Sequence, residues 1–180
     1  MKVIIFLIAS VFGIFAHAND LDMFCLKGPV DSVCIIMNDA GLEWQNEFCF
    51  DEQGFLVEMD GGDIDCKRDG FGRMISIIVE DAYEDNEEAF TTIEMHLTYD
   101  RAGRVSKVKS MSADEIWTQN YRYDHNGLLK ERDYDSVDQD EALKYTYLKF
   151  DDYGNWTKRV EKLQSMDSEI IQIRNITYRK

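Results

Sequence analysis

The chain has 180 residues, 35 of them acidic and 20 basic, for a formal net charge of −15. That balance argues against nucleic acid and anionic membrane surfaces as partners, and it suits a basic protein partner or a solvated acidic surface. The length allows one domain with a sizeable core and is short for two.

At the start of the chain, Lys2 precedes an apolar run over residues 3–15 and the small-x-small triplet Ala16-His17-Ala18. This pattern predicts a signal peptide over residues 1–18, cut before Asn19. The apolar run is too short for a membrane span, which needs roughly 20 residues. Cys25 lies too far beyond the cut to carry a lipid anchor, so the expected product is periplasmic or secreted and not a lipoprotein. No later stretch could insert in a membrane. Residues 19–180 are expected to form a single domain.

All four cysteines, Cys25, Cys34, Cys49 and Cys66, fall early in that domain. In an exported chain two disulfides are the natural expectation. Of the three connectivities, Cys34 with Cys49 and Cys25 with Cys66 is preferred, because the first pair falls on neighbouring predicted strands. Buried free thiols are the alternative. The spacing contains no Cys-x-x-Cys and points away from zinc.

Further along, one pattern returns five times: Phe50-Asp51-Glu52-Gln53-Gly54, Arg68-Asp69-Gly70-Phe71-Gly72, Tyr99-Asp100-Arg101-Ala102-Gly103, Tyr123-Asp124-His125-Asn126-Gly127 and Phe150-Asp151-Asp152-Tyr153-Gly154. An aspartate at the first turn position can accept from backbone N–H groups ahead of it, and a glycine at the fourth takes positive φ without penalty. Asp51, Gly54, Asp69, Gly72, Asp100, Gly103, Asp124, Gly127, Asp151 and Gly154 therefore read as five hairpin tips. Apolar residues two positions beyond each glycine (Leu56, Met74, Val105, Leu129, Trp156) and at Phe48, Cys66, Leu97, Tyr121 and Leu148 before the tips imply strands with one buried face. The clearest is Ile93, Met95, Leu97 and Tyr99, with polar residues between them. Acidic stretches over residues 81–88, 135–141 and 165–168 read as return loops. The last strand, Glu169 to Arg179, reads as an edge whose basic end discourages pairing. The fold class is all-β: an antiparallel meander of about five to six hairpins forming one twisted, curled sheet.

Tyr99-Asp100-Arg101-Ala102-Gly103-Arg104-Val105 and Tyr123-Asp124-His125-Asn126-Gly127-Leu128-Leu129 resemble the unit of the tyrosine-aspartate (YD), or RHS-type, repeat family. The resemblance spans roughly residues 26–180 and implies a β-hairpin array in a small exported bacterial protein. It supplies no catalytic residues, and this chain is too short for the closed shells of large members.

Catalytic constellations are sparse. Beyond the leader the histidines are His96, on a polar strand face, and His125, inside a turn, and both read as exposed. Neither a nucleophile elbow nor a phosphate loop nor a zincin motif occurs. No cofactor or metal is expected; Asp63 and Asp65 lack the glycine of a calcium loop. Trp117, Tyr121, Tyr123, Tyr145, Tyr147 and Trp156 are candidate binding aromatics, with strand packing as their alternative role. The leading functional expectation is a non-enzymatic binding protein of the cell envelope with a protein or glycan partner. An immunity-type inhibitor of a basic toxin or hydrolase comes second, and a carboxylate-dependent hydrolase third.

Overall fold

The computed structural model describes residues 19–180 except 40, 83–89, 137–139 and 164–168. The predicted signal peptide and the middles of the three long return loops lie outside the described residues. The strands in chain order are β1 (Val30–Asp39), β2 (Leu42–Phe50), β3 (Leu56–Met59), β4 (Gly62–Asp63), β5 (Asp65–Arg68), β6 (Met74–Ala82), β7 (Phe90–Tyr99), β8 (Val105–Met111), β9 (Ile116–Tyr123), β10 (Leu129–Asp135), β11 (Asp140–Phe150), β12 (Trp156–Leu163) and β13 (Glu169–Tyr178). They form one all-β antiparallel sheet of 13 strands in the order β4-β3-β2-β1-β13-β12-β11-β10-β9-β8-β7-β6-β5. Its two edge strands, β4 and β5, are separated in sequence by Ile64 alone, so the sheet curls almost into a closed barrel.

Each Asp-x-x-Gly site is a hairpin tip with the same wiring. The glycine N–H donates to the aspartate carbonyl at 2.9–3.1 Å, and the aspartate N–H donates to the carbonyl four residues on at 2.8–2.9 Å. The aspartate Oδ1 accepts from the backbone N–H groups two and four residues ahead, as at Ala102 (2.8 Å) and Arg104 (3.0 Å) for Asp100. All five glycines stand at φ between 80° and 87°.

Every strand that leaves a tip then carries a register shift close to its start. Leu56, Met74, Val105, Leu129 and Trp156 pair back across the tip, and the next paired residue lies two further on while the partner strand advances one. This bulge turns two consecutive side chains outward, so the next inward residue is the fifth after the glycine. Those residues are Met59, Ile77, Val108, Arg132 and Arg159.

A second bulge, at Leu148, lies in β11 before the last tip. The inner face there runs Leu143, Tyr145, Tyr147, while Leu148 is 51% and Phe150 48% exposed. Leu148 is thus not on the buried face that period-two spacing implied, because the bulge consumes one position.

The repeats are clasped to one another. The Tyr99 hydroxyl donates to the Met74 carbonyl at 2.6 Å, Tyr123 to Val105 at 2.7 Å and Tyr147 to Leu129 at 2.8 Å. Arg104 grips Asp100 through Nε (2.9 Å) and Nη2 (2.6 Å), and its guanidinium lies 4.5 Å from the centroid of the Tyr123 ring. Arg73 repeats this with Asp69 and Tyr99.

β13 is not an edge. It pairs with β12 on one side and β1 on the other, and its basic end is engaged: Arg179 donates to the Phe50 carbonyl and pairs with Asp31 at 3.3 Å. The real seam lies between β3/β4 and β5, and Asp20 closes it. Its carboxylate, 2% exposed, accepts from the Leu56 N–H of β3 (2.7 Å) and takes a bidentate pair from Arg68 of β5 (2.9 and 2.8 Å). Arg68 therefore stands where other repeats have an aromatic because it has this carboxylate to meet. The segment carrying Asp20 crosses the tip end of the barrel. There Leu21, Leu26 and Phe24 pack on Phe48, Phe50, Val33 and Met74 as the main apolar core.

All four cysteines are free. Cys34 lies opposite Glu47 and Cys49 opposite Ser32, a diagonal pair whose Cβ separation of roughly 7 Å exceeds disulfide reach, and the Cys34 thiol turns the other way, to Gln45. Cys25 sits at the fourth tip, 3.8 Å from the Gly127 carbonyl, while Cys66 packs against the core from β5.

Candidate functional site in the barrel lumen

The lumen has two unlike halves. Hairpins built from β1–β3 and β5–β8 turn Ile35, Met37, Phe48, Met59, Ile77, Met95, Leu97 and Val108 inward, and this half is mainly apolar, with Asn46 and Ser110 as its polar members. From β9 to β13 the inward positions include Gln119, Tyr121, Arg132, Tyr145, Tyr147, Trp156, Arg159, Glu161, Gln172 and Arg174, with Leu143 and Ile170 among them. The change falls at equivalent sites: the fifth residue after the tip glycine is apolar in three hairpins and arginine in the last two.

These polar groups form a chain. Arg159 Nε donates to Gln172 Oε1 at 2.6 Å, Gln172 Nε2 donates to Glu161 Oε2 at 2.9 Å, and Arg132 Nη2 meets Glu161 Oε1 at 3.3 Å. The Arg159 guanidinium also covers the Tyr145 and Trp156 rings, 4.3 and 4.2 Å from their centroids. Arg174, 5% exposed, has its guanidinium 3.7 Å from the Trp156 centroid. Its Nε and Nη1, and the Nε of Arg132, are buried without an acceptor. Burial, reinforced by repulsion from Arg159, pulls the Arg174 pKa down to about 9. Burial likewise raises the pKa of the Tyr145 and Tyr121 hydroxyls, against the pull of Arg132.

Towards the end opposite the tips this polar wall faces the apolar one across a cavity of about 310 Å³, lined by Ile35, Met37, Trp44, Asn46, Phe48, Arg132, Arg159, Glu161, Ile170 and Gln172. Trp44, 42% exposed, stands at its mouth.

All six candidate aromatics, Trp117, Tyr121, Tyr123, Tyr145, Tyr147 and Trp156, face the lumen by register. They do not make an outer platform. Tyr123 and Tyr147 serve as inter-repeat clasps, and Trp156 (1% exposed) and Tyr145 (8%) are packed under arginines. Reading by residue type missed the arginines and Glu161. His96 lies outside, 3.1 Å from Glu94, and His125 is exposed at its tip. Among the described residues no group of three potential metal ligands gathers, and no helix is long and apolar enough to cross a membrane.

No family model matches the sequence, and no curated protein does. Among solved structures, a LolA superfamily protein from Nitrosomonas europaea aligns over 88% of this chain and 91% of its own, with a TM-score of 0.29 and 8% identity.

Proposed function

We propose that the chain is a non-enzymatic binding protein of the cell envelope and that its ligand seats in the mouth of the lumen. One observation carries this reading: the barrel is plugged at the tip end by the segment around Asp20 and Leu26, while at the other end a cavity of about 310 Å³ lies between an apolar wall and a polar one. Cavities of roughly 300–1,000 Å³ with mostly apolar lining and a few convergent polar groups are the usual seats of small ligands. A glycan end or a side chain of a protein partner also fits such a mouth. The hydrolase reading has less support, since Glu161 is the one carboxylate among the residues lining this cavity and both its oxygens are engaged.

The test is native mass spectrometry of the protein recovered from the envelope without detergent, followed by tryptophan fluorescence during titration with envelope extract. A retained small molecule, or a saturable response lost in Trp44→Ala, supports the reading. A ligand-free chain whose fluorescence ignores the extract sinks it. Recovery of a basic protein that dissociates at high salt would favour the inhibitor reading instead.

A further inference from the structure

The hairpin and its bulge do not require an arginine at the fifth position after the glycine. At the position of Arg132 and Arg159, three other hairpins carry Met59, Ile77 and Val108 and close with the same bulge. Buried guanidinium groups cost stability unless a counter-charge meets them. Here Arg132 and Arg159, both half-buried, share a hydrogen-bonded group with one carboxylate, Glu161, and the buried Arg174 packs beside them on Trp156, so among these side chains three positive charges meet one negative inside a protein whose net charge is −15. Among the described residues Arg159 hydrogen-bonds Gln172 and Tyr147, both neutral. Arg174 has no carboxylate among the groups that act on it most, and two of its nitrogens lack an acceptor. The same cavity is lined by Ile35, Met37, Trp44 and Phe48, with Ile35 and Met37 cross-strand neighbours of Arg174 and Gln172.

We propose that the lumen takes an amphiphilic organic anion, its head held by Arg132 and Arg159 with Arg174 behind them, its apolar body lying on Ile35, Met37, Trp44 and Phe48. The anion adds an acceptor at Arg132, whose Nε lacks one, while Arg174 lies outside the cavity lining and contributes its charge from behind; the apolar wall excludes water from the contact, which strengthens it. This rests on the lumen being a ligand site at all, and the test separates the two claims.

Decanoate, decanol and inorganic phosphate are titrated against the intact folded domain by tryptophan fluorescence and calorimetry. Decanoate binds saturably, decanol about tenfold or more weakly, and phosphate alone weaker still, as expected when one charged hydrogen-bonded contact and one apolar contact both contribute. Arg159→Met and Arg132→Met lower decanoate affinity about tenfold and leave decanol unchanged, which also reports that the lumen is intact. Arg174→Met weakens decanoate binding while the ligand-free protein melts no lower than the parent, because a buried unpaired charge is replaced by an apolar chain. If decanol binds as well as decanoate, or Arg159→Met leaves decanoate untouched, anion recognition is wrong although the lumen still binds. Phosphate binding as tightly as decanoate would overturn the apolar half. If none of the three binds, the proposal falls, and the lumen reading is then judged by the extract titration alone.

Discussion

Gly103 and Gly54 occupy the same turn position, yet their surroundings differ. At Gly103, φ is +83° and an added Cβ meets nothing within 4 Å. At Gly54, φ is +84° and the Cβ meets Asn19 Nδ2 at 2.7 Å and Leu21 Cδ1 at 2.9 Å. Gly103→Ala should therefore cost only the left-handed strain, about 1–2 kcal/mol, whereas Gly54→Ala also lifts the segment that plugs the barrel. Urea unfolding should rank Gly54→Ala clearly below Gly103→Ala. The tip aspartates carry a second expectation. Partial burial raises Asp69, Asp100 and Asp151, but this is outweighed by Arg73, Arg104 and Tyr178 respectively, together with backbone N–H donors, so each pKa lies below the usual value. A carboxylate depressed in the folded state stabilises above its unfolded pKa and stops doing so as pH falls through the folded one. Melting temperature should thus hold near neutrality and fall below about pH 4, and Asp100→Asn should shallow that fall.

At the scale of the hairpin, the tips and the alternating faces were legible in the sequence because Asp-x-x-Gly fixes a turn by local hydrogen bonding alone. The bulge after each tip was not. Arg132 and Arg159 stand three residues beyond Leu129 and Trp156, and strict alternation assigns such residues to solvent. The signal was present in the first three hairpins, where apolar residues recur at that odd spacing: Leu56 with Met59, Met74 with Ile77, Val105 with Val108. Aligning the repeats on their glycines would have turned the two arginines inward. The β5 hairpin yields another prediction. Arg68→Met leaves the Asp20 carboxylate buried with only the Leu56 N–H, and the loss of one partner of a buried pair costs about 3 kcal/mol or more. The double variant Arg68→Met with Asp20→Asn should recover part of that, read as coupling in a double-mutant cycle by denaturant unfolding.

For the whole molecule, a curled antiparallel sheet followed from hairpin number and strand length, because so many strands cannot stay flat. Where the ring would join did not follow. β13 looked like a free edge, yet it finds β1, and the Arg179 N–H donates to the Pro29 carbonyl at 2.8 Å. Residue type also hid the interior charge: Ile171 and Ile173 of the last strand are 38% and 41% exposed while Arg174 and Gln172 beside them are buried. That inversion is set by β1, which presents Ile35 and Met37 across from Arg174 and Gln172.

The join of β1 to β13 links residues nearly the whole length of the polypeptide apart, and contacts of that separation are slow to form. Pairing of β1 with β2 is local, but its pairing with β13 must wait for the last strand to be synthesised. Since β1 and β13 lie side by side, a circular permutant that joins Lys180 to Asn19 through a flexible linker and opens at Ala113–Asp114 should reach the same structure, with altered refolding rates in stopped-flow measurements. Failure of that permutant to refold would mean that the β8–β9 turn organises assembly as well as connecting strands.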